Sequence, residues 1–160
     1  MPEAVCNTSP LQYLHQAGVI GILPALYGRL LIPQAVAAEL DAGHRADIDL
    51  PAVGMLDWIE VRQVEAAPCP LPRDIHRGEA EVIALAGSLS GSTLILDDLA
   101  ARKHARLLGL RVTGTLGVLL RAKTEGLLGA IAPAVQGLEQ AGFRLAKETR
   151  LEILRLAGEE

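Results

Sequence analysis

Asp97 and Asp98 stand side by side directly after the apolar run Thr93-Leu94-Ile95-Leu96. Two adjacent carboxylates at the end of a strand repel each other unless something positive lies close by. A helix N-terminus supplies part of that charge, so either aspartate reads equally well as a helix cap. Glu79 is the second acid of interest. At about 100° per residue, Val82, Ile83, Leu85, Ala86 and Leu89 form one apolar stripe. Glu79 falls beside that stripe, while Glu81 points away from it and reads as a solvated surface charge. An inward glutamate in a first helical turn is costly unless paired, hydrogen-bonded or bound to a metal. Glu39 is the third, on the flank of a helix whose buried face is marked by Val36 and Leu40; alone, it is an ordinary surface glutamate. Gathered at one point, these acids make an oxygen-only ligand set. Such a set favours hard cations, Mg²⁺ or Mn²⁺, and these often serve phosphoryl chemistry.

Elements that would gather them are legible as an alternation of short apolar strands and helices. Strands are predicted at residues 3–6, 29–32, 58–61 (at a sheet edge), 93–96 and 111–113, and helices at 11–17, 20–27, 33–41, 76–89, 97–108, 116–125, 131–140 and 147–156. Thr8 or Ser9 is expected to cap the first helix, and Gly43 to end the third. Residues 47–56 and the proline-rich 66–73, which includes Cys69, read as loops. The alternation implies a parallel sheet covered by helices on both faces. Ligands of such sheets collect at the carboxyl ends of the strands. The residues in that position are Asn7, Asp97, Asp98 and the turn Thr113-Gly114-Thr115.

Bulk properties are compatible with this plan. The 160 residues suit a single domain spanning 1–160. Half of them are hydrophobic and only 2% aromatic, so the core must be aliphatic. A net charge of −4 argues against a protein that coats nucleic acid by overall positive charge, while leaving room for local contacts. Cys6 reads as a small core residue, and two cysteines make neither a disulfide framework nor a zinc site, which suits the cytoplasm. No secretory leader and no membrane span of about eighteen apolar residues are expected.

Six segments, in order, resemble the PIN-domain family, and within it a PIN-like subfamily of nucleic-acid-binding proteins without an assigned function. They are Asn7-Thr8-Ser9-Pro10-Leu11, Ile32 to Leu40, Trp58 to Val61, Arg77 to Ala86, Leu96 to Arg102 and Val112 to Leu120. The resemblance implies a three-layer α/β/α fold with a parallel sheet of four or five strands. It also implies metal-dependent cleavage of RNA, as in the toxin halves of toxin–antitoxin pairs. Carried over by position, Glu39 matches the second family acid and Glu79 the third. The fourth falls on Asp98, with Asp97 close behind. Ser9 matches a hydroxyl beside the first acid, and Thr115 is a further polar contact. Asn7 departs from the usual aspartate: its amide oxygen can face a cation but brings no charge, so metal is held more weakly.

The expectation is therefore a ribonuclease in which Glu39, Glu79, Asp98 and Asp97, with Asn7, bind one or two Mg²⁺ or Mn²⁺ ions. Arg77, Arg102, Lys103 and Arg106 would hold RNA phosphates, although a solvated helix face explains 102–106 equally well. The family resemblance also implies a homodimer and an antitoxin partner. The apolar helices 11–17 and 20–27 fit either such an interface or plain core packing. A second reading is a PIN-like module, weak or inactive as a catalyst, that binds RNA or a protein; Asn7 favours it. A receiver-like or phosphate-binding α/β domain ranks last, because the chain lacks a glycine-rich phosphate loop and a lysine partner.

Overall fold

Each described strand of this chain is only three or four residues long, and the central ones, Ala4-Val5-Cys6, Leu30-Leu31-Ile32-Pro33 and Thr93-Leu94-Ile95, are buried throughout, as their largely apolar content favours. In the computed structural model, which describes residues 3–65 and 73–160, the order is β1 (Ala4–Cys6), α1 (Thr8–Gln16), α2 (Ile22–Tyr27), β2 (Leu30–Pro33), α3 (Gln34–Arg45), β3 (Ile59–Arg62), α4 (Arg77–Gly87), β4 (Thr93–Ile95), α5 (Leu99–Leu107), β5 (Arg111–Thr113), α6 (Thr115–Thr124), α7 (Ala132–Gln140) and α8 (Lys147–Leu156). The five strands are all parallel, in the order β3-β2-β1-β4-β5, and the helices complete a three-layer α/β/α arrangement. Strand order reverses at the β1–β4 pair, where Ala4, Val5 and Cys6 lie opposite Thr93, Leu94 and Ile95. A crevice at the carboxyl ends of the strands is the expected ligand position in such a sheet, at this point of reversal.

The core is aliphatic, as the composition requires. Val5, Cys6, Leu31, Ile32, Leu94 and Ile95 are fully buried. Burial raises the Cys6 thiol well above its ordinary value, with the Asp97 charge adding to the effect, which agrees with a core role. Leu11, Leu14, Ile22, Leu23 and Leu26 are also buried, so core packing accounts for the apolar character of α1 and α2. Among the described residues, no helix is long and apolar enough to cross a membrane.

Several boundaries differ from the sequence reading. Helix α3 runs through Gly43 to Arg45, because Leu50 folds back into the space that a side chain at Gly43 would need. One 3₁₀ turn, Val53–Met55, interrupts the expected loop 47–56. Neither Thr8 nor Ser9 caps α1. The N-cap is Asn7, and the two hydroxyls turn to carboxylates elsewhere. Of the proline-rich stretch, residues 66–72, with Cys69, lie outside the described residues.

Candidate metal centre

The first acid-bearing strand end is β4. Asp97 follows Leu96, whose N–H donates to Thr113 O at 2.9 Å, so the β4 and β5 ends are tied together. The Asp97 carboxylate then accepts three hydrogen bonds: from the Thr115 N–H at 2.8 Å, the Thr115 hydroxyl at 2.6 Å and the Ser9 hydroxyl at 3.2 Å. It closes the Thr113-Gly114-Thr115 turn and holds the start of α1 against β4. Asp98 has a different task. One of its oxygens accepts from the Ala101 N–H at 2.9 Å, capping α5, and the residue is exposed.

Glu79 sits in the first turn of α4 and is only 3% exposed. One of its oxygens accepts from the His76 N–H at 3.4 Å and lies 3.0 Å from His76 Nε2. Burial is the main reason its carboxyl is raised from the ordinary glutamate value. His76 lowers it, while Asp98 and Glu39 raise it further. Three acids therefore act on one another here.

Glu39 projects from α3. The Thr8 hydroxyl donates to it at 2.5 Å, and its carboxylate lies against Gly78, at a point where any β-carbon would collide. Gly78 thus lets an anion rest on the N-terminal turn of α4, which the helix dipole favours. Beside these acids Asn7 ends β1, its N–H donating to Ile95 O at 3.1 Å. Asn7 is 6% exposed, and its Oδ1 is buried without a hydrogen-bond partner.

Asn7, Glu39, Glu79, Asp97 and Asp98 line one open cavity of about 510 Å³. Ser9 lines it too, while Thr115 reaches it through its bonds to Asp97. The donor set is entirely oxygen and includes a buried amide oxygen lacking any partner, which fits a hard divalent cation. Among the described residues, no three His, Cys, Asp or Glu side chains stand together as a ready-made ligand group. Glu39 is engaged by Thr8 and Glu79 by His76, so closure around an ion would require these side chains to turn.

The basic residues divide. Arg77 is spread over the surface and pairs with Glu81 at 3.0 Å, and Lys103 and Arg106 are exposed on α5 away from the acidic cavity. Arg102 packs beside Asp97 over Gly114, and burial lowers its guanidinium from the ordinary value, with Arg106 acting in the same direction. Glu81 is a correction: it is 8% exposed, and accepts from the Ala35 N–H at 3.3 Å as well as from Arg77. The N-terminus of α3 has no side-chain cap of its own, and Glu81 reaches across from α4 to supply one. The sequence reading also missed Gln12, Tyr13, Phe143 and Arg144 on the cavity wall. Tyr13 lies one turn beyond Ser9, a spacing that pointed to the same face. Phe143 and Arg144 lie in the α7–α8 connection, where no periodicity marks them.

Comparison with known proteins agrees with this fold. The chain's fold is similar to that of a PilT N-terminus domain protein from the hyperthermophilic archaeon Sulfolobus solfataricus, with a TM-score of 0.56 and 21% sequence identity, over 75% of this chain and 92% of that one. No curated protein matches the sequence. The family model DUF3368, described as a PIN domain, matches residues 3–159. A match across nearly the whole chain, on a parallel sheet with a nuclease-type fold, means that this chain belongs to the PIN-domain family.

Proposed function

We propose that this protein is a metal-dependent endoribonuclease that hydrolyses phosphodiester bonds in RNA. The observation that supports it best is the convergence of Asn7, Glu39, Glu79, Asp97 and Asp98 on one cavity at the carboxyl ends of β1 and β4. Four carboxylates from three separated segments gather there, Asp97 and Asp98 also serving as clamp and cap, and Glu79 is buried at a cost that a cation would offset. PIN domains are generally nucleases, which favours this reading over other phosphoryl chemistry.

Glu39, Glu79 and Asp98, with Asn7 Oδ1, would hold Mg²⁺ or Mn²⁺. When bound, the ion would lower the pKa of a water and offset charge on the scissile phosphate. The chain's own residues prepare that site. Asp97, with both oxygens occupied, fixes the β5–α6 turn and the start of α1. His76 keeps Glu79 at the mouth of α4. Thr8 orients Glu39. The family's toxin members supply the further proposal that an antitoxin covers this cavity.

Purified protein with Mn²⁺ should cut a single-stranded RNA, Asp98→Asn should lose at least about a hundredfold of the rate, and chelation of the metal should abolish cleavage. Equal activity in all three would reject the mechanism. A second reading, an RNA- or protein-binding module with little catalysis, is favoured by Asn7 in place of the usual acid and by the lack of a preformed ligand group among the described residues. A Mn²⁺-independent melting temperature would favour it.

A further inference from the structure

Phe143 and Arg144 wall the acidic cavity on one side and a second cavity, of about 470 Å³, on the other. Asp97 borders both. The character changes across that wall. The acidic side gathers carboxylates, whereas the second cavity offers two cations, Arg102 and Arg144, among apolar groups such as Leu99, Leu116 and Leu145. Neither arginine makes an ion pair with any described residue. Arg102 Nε is buried without a hydrogen-bond partner, the only such side-chain atom besides Asn7 Oδ1 among the described residues. Phe143 meets Tyr13 edge-to-face, ring centroids 5.1 Å apart, so two of the chain's four aromatic residues stand at this divide.

We propose that the second cavity is a nucleotide subsite, which receives a base and phosphate of single-stranded RNA next to the scissile bond; this rests on the nuclease reading. A polynucleotide needs what this wall provides: cations for a phosphate, an aromatic ring and an apolar floor for a base. It also needs continuity with the cutting centre, and the shared residues Asp97, Phe143 and Arg144 supply it. Carboxylates repel phosphate, so a chain crossing the acidic cavity requires cations beside it, and Arg102 and Arg144 occupy that place. The apolar floor favours a base over a bare anion such as inorganic phosphate.

The test is binding of a short labelled single-stranded RNA, followed by fluorescence anisotropy at several salt concentrations in the absence of divalent metal. Steady-state cleavage with Mn²⁺ runs in parallel. Phe143→Leu should weaken binding about tenfold by loss of stacking. Arg144→Gln and Arg102→Gln should each lower the affinity and reduce the slope of log K against log salt by about 0.7. In cleavage, KM should rise more than kcat falls. Arg144 is exposed, so its variant keeps the fold and reports even if the Phe143 variant does not. RNA binding that weakens in these variants of a protein that cuts nothing would support the subsite and sink the nuclease reading. Cleavage with unchanged KM and salt slope in all three would overturn the subsite and leave the nuclease reading standing. Failure of the wild-type chain to bind RNA, with a peptide taken by this cavity instead, would overturn it as well.

Discussion

Two adjacent aspartates illustrate how one residue type takes two roles within a single site. Asp97 receives three hydrogen bonds and has no free oxygen, so it acts as a structural clamp. Asp98 spends one oxygen on the α5 cap and keeps the other available. Their asparagine variants should therefore part company. Asp97→Asn should lower stability by about 1–3 kcal/mol, because the amide cannot accept on both sides. Asp98→Asn should leave the melting temperature nearly unchanged, asparagine being as good an N-cap, while abolishing most cleavage. Denaturant titration beside the ribonuclease assay separates the two, and the reverse pattern would exchange their roles. The pairing of Asp97 and Asp98 was plain in the sequence; Ser9, as a hydroxyl beside the Asn7 position, and Thr115, as a further polar contact, came only through the family resemblance. Which aspartate is clamped was not, since it depends on a contact between residues 97 and 115 that only the β4–β5 pairing creates.

At the scale of elements, the site depends on how α3 and α4 lean on each other. Glu81 caps α3 from α4, and Gly78 of α4 makes room for Glu39 of α3. One helix thus sets the position of the acid carried by the other. Removing the Glu81 carboxylate strands the Ala35 N–H, at a cost of about 1–2 kcal/mol. Glu81→Ala should therefore destabilise the fold and weaken Mn²⁺ binding through Glu39, and Glu81→Gln should restore most of both. Undiminished metal affinity in Glu81→Ala would show that the two helices are positioned independently. Periodicity within residues 79–90 correctly turned Glu79 inward but assigned Glu81 to solvent. A single-helix projection knows only its own apolar stripe, and Glu81 is buried by a neighbouring helix outside that pattern. Gly43 misled for a related reason: glycine usually ends a helix, but here Leu50 requires its missing side chain.

Across the whole molecule, parallel pairing and strand order bring residues 7, 39, 79, 97 and 98 together. The alternation of strands and helices foretold the parallel sheet and which residues follow each strand. It was silent on order, which brings β1 beside β4 and makes Asn7 a neighbour of Asp97. The far end of the chain is fastened by an ion pair absent from the sequence reading. Glu159 accepts from the Ile131 and Ala132 N–H groups at the start of α7 and meets Lys123 Nζ at 2.8 Å. These partners, the Ile131 N–H foremost, hold its carboxyl down to about 2 from an ordinary 4.5. A depressed carboxyl stabilises the fold fully above the unfolded value, and loses that contribution as pH falls from about 4.5 toward 2. Unfolding free energy followed over this range should drop more steeply in the wild type than in Glu159→Gln, and parallel curves would refute the role.

The claim on which all else depends is that Asn7, Glu39, Glu79 and Asp98 form one cation seat, and Mn²⁺ titration by calorimetry addresses it without RNA. The wild type should bind Mn²⁺ weakly, Glu79→Gln should lose at least about tenfold in affinity, and Asn7→Asp, by adding the charge the family usually carries there, should gain about tenfold. Identical affinities in the three proteins, or no Mn²⁺ uptake even with aspartate at position 7, would contradict it.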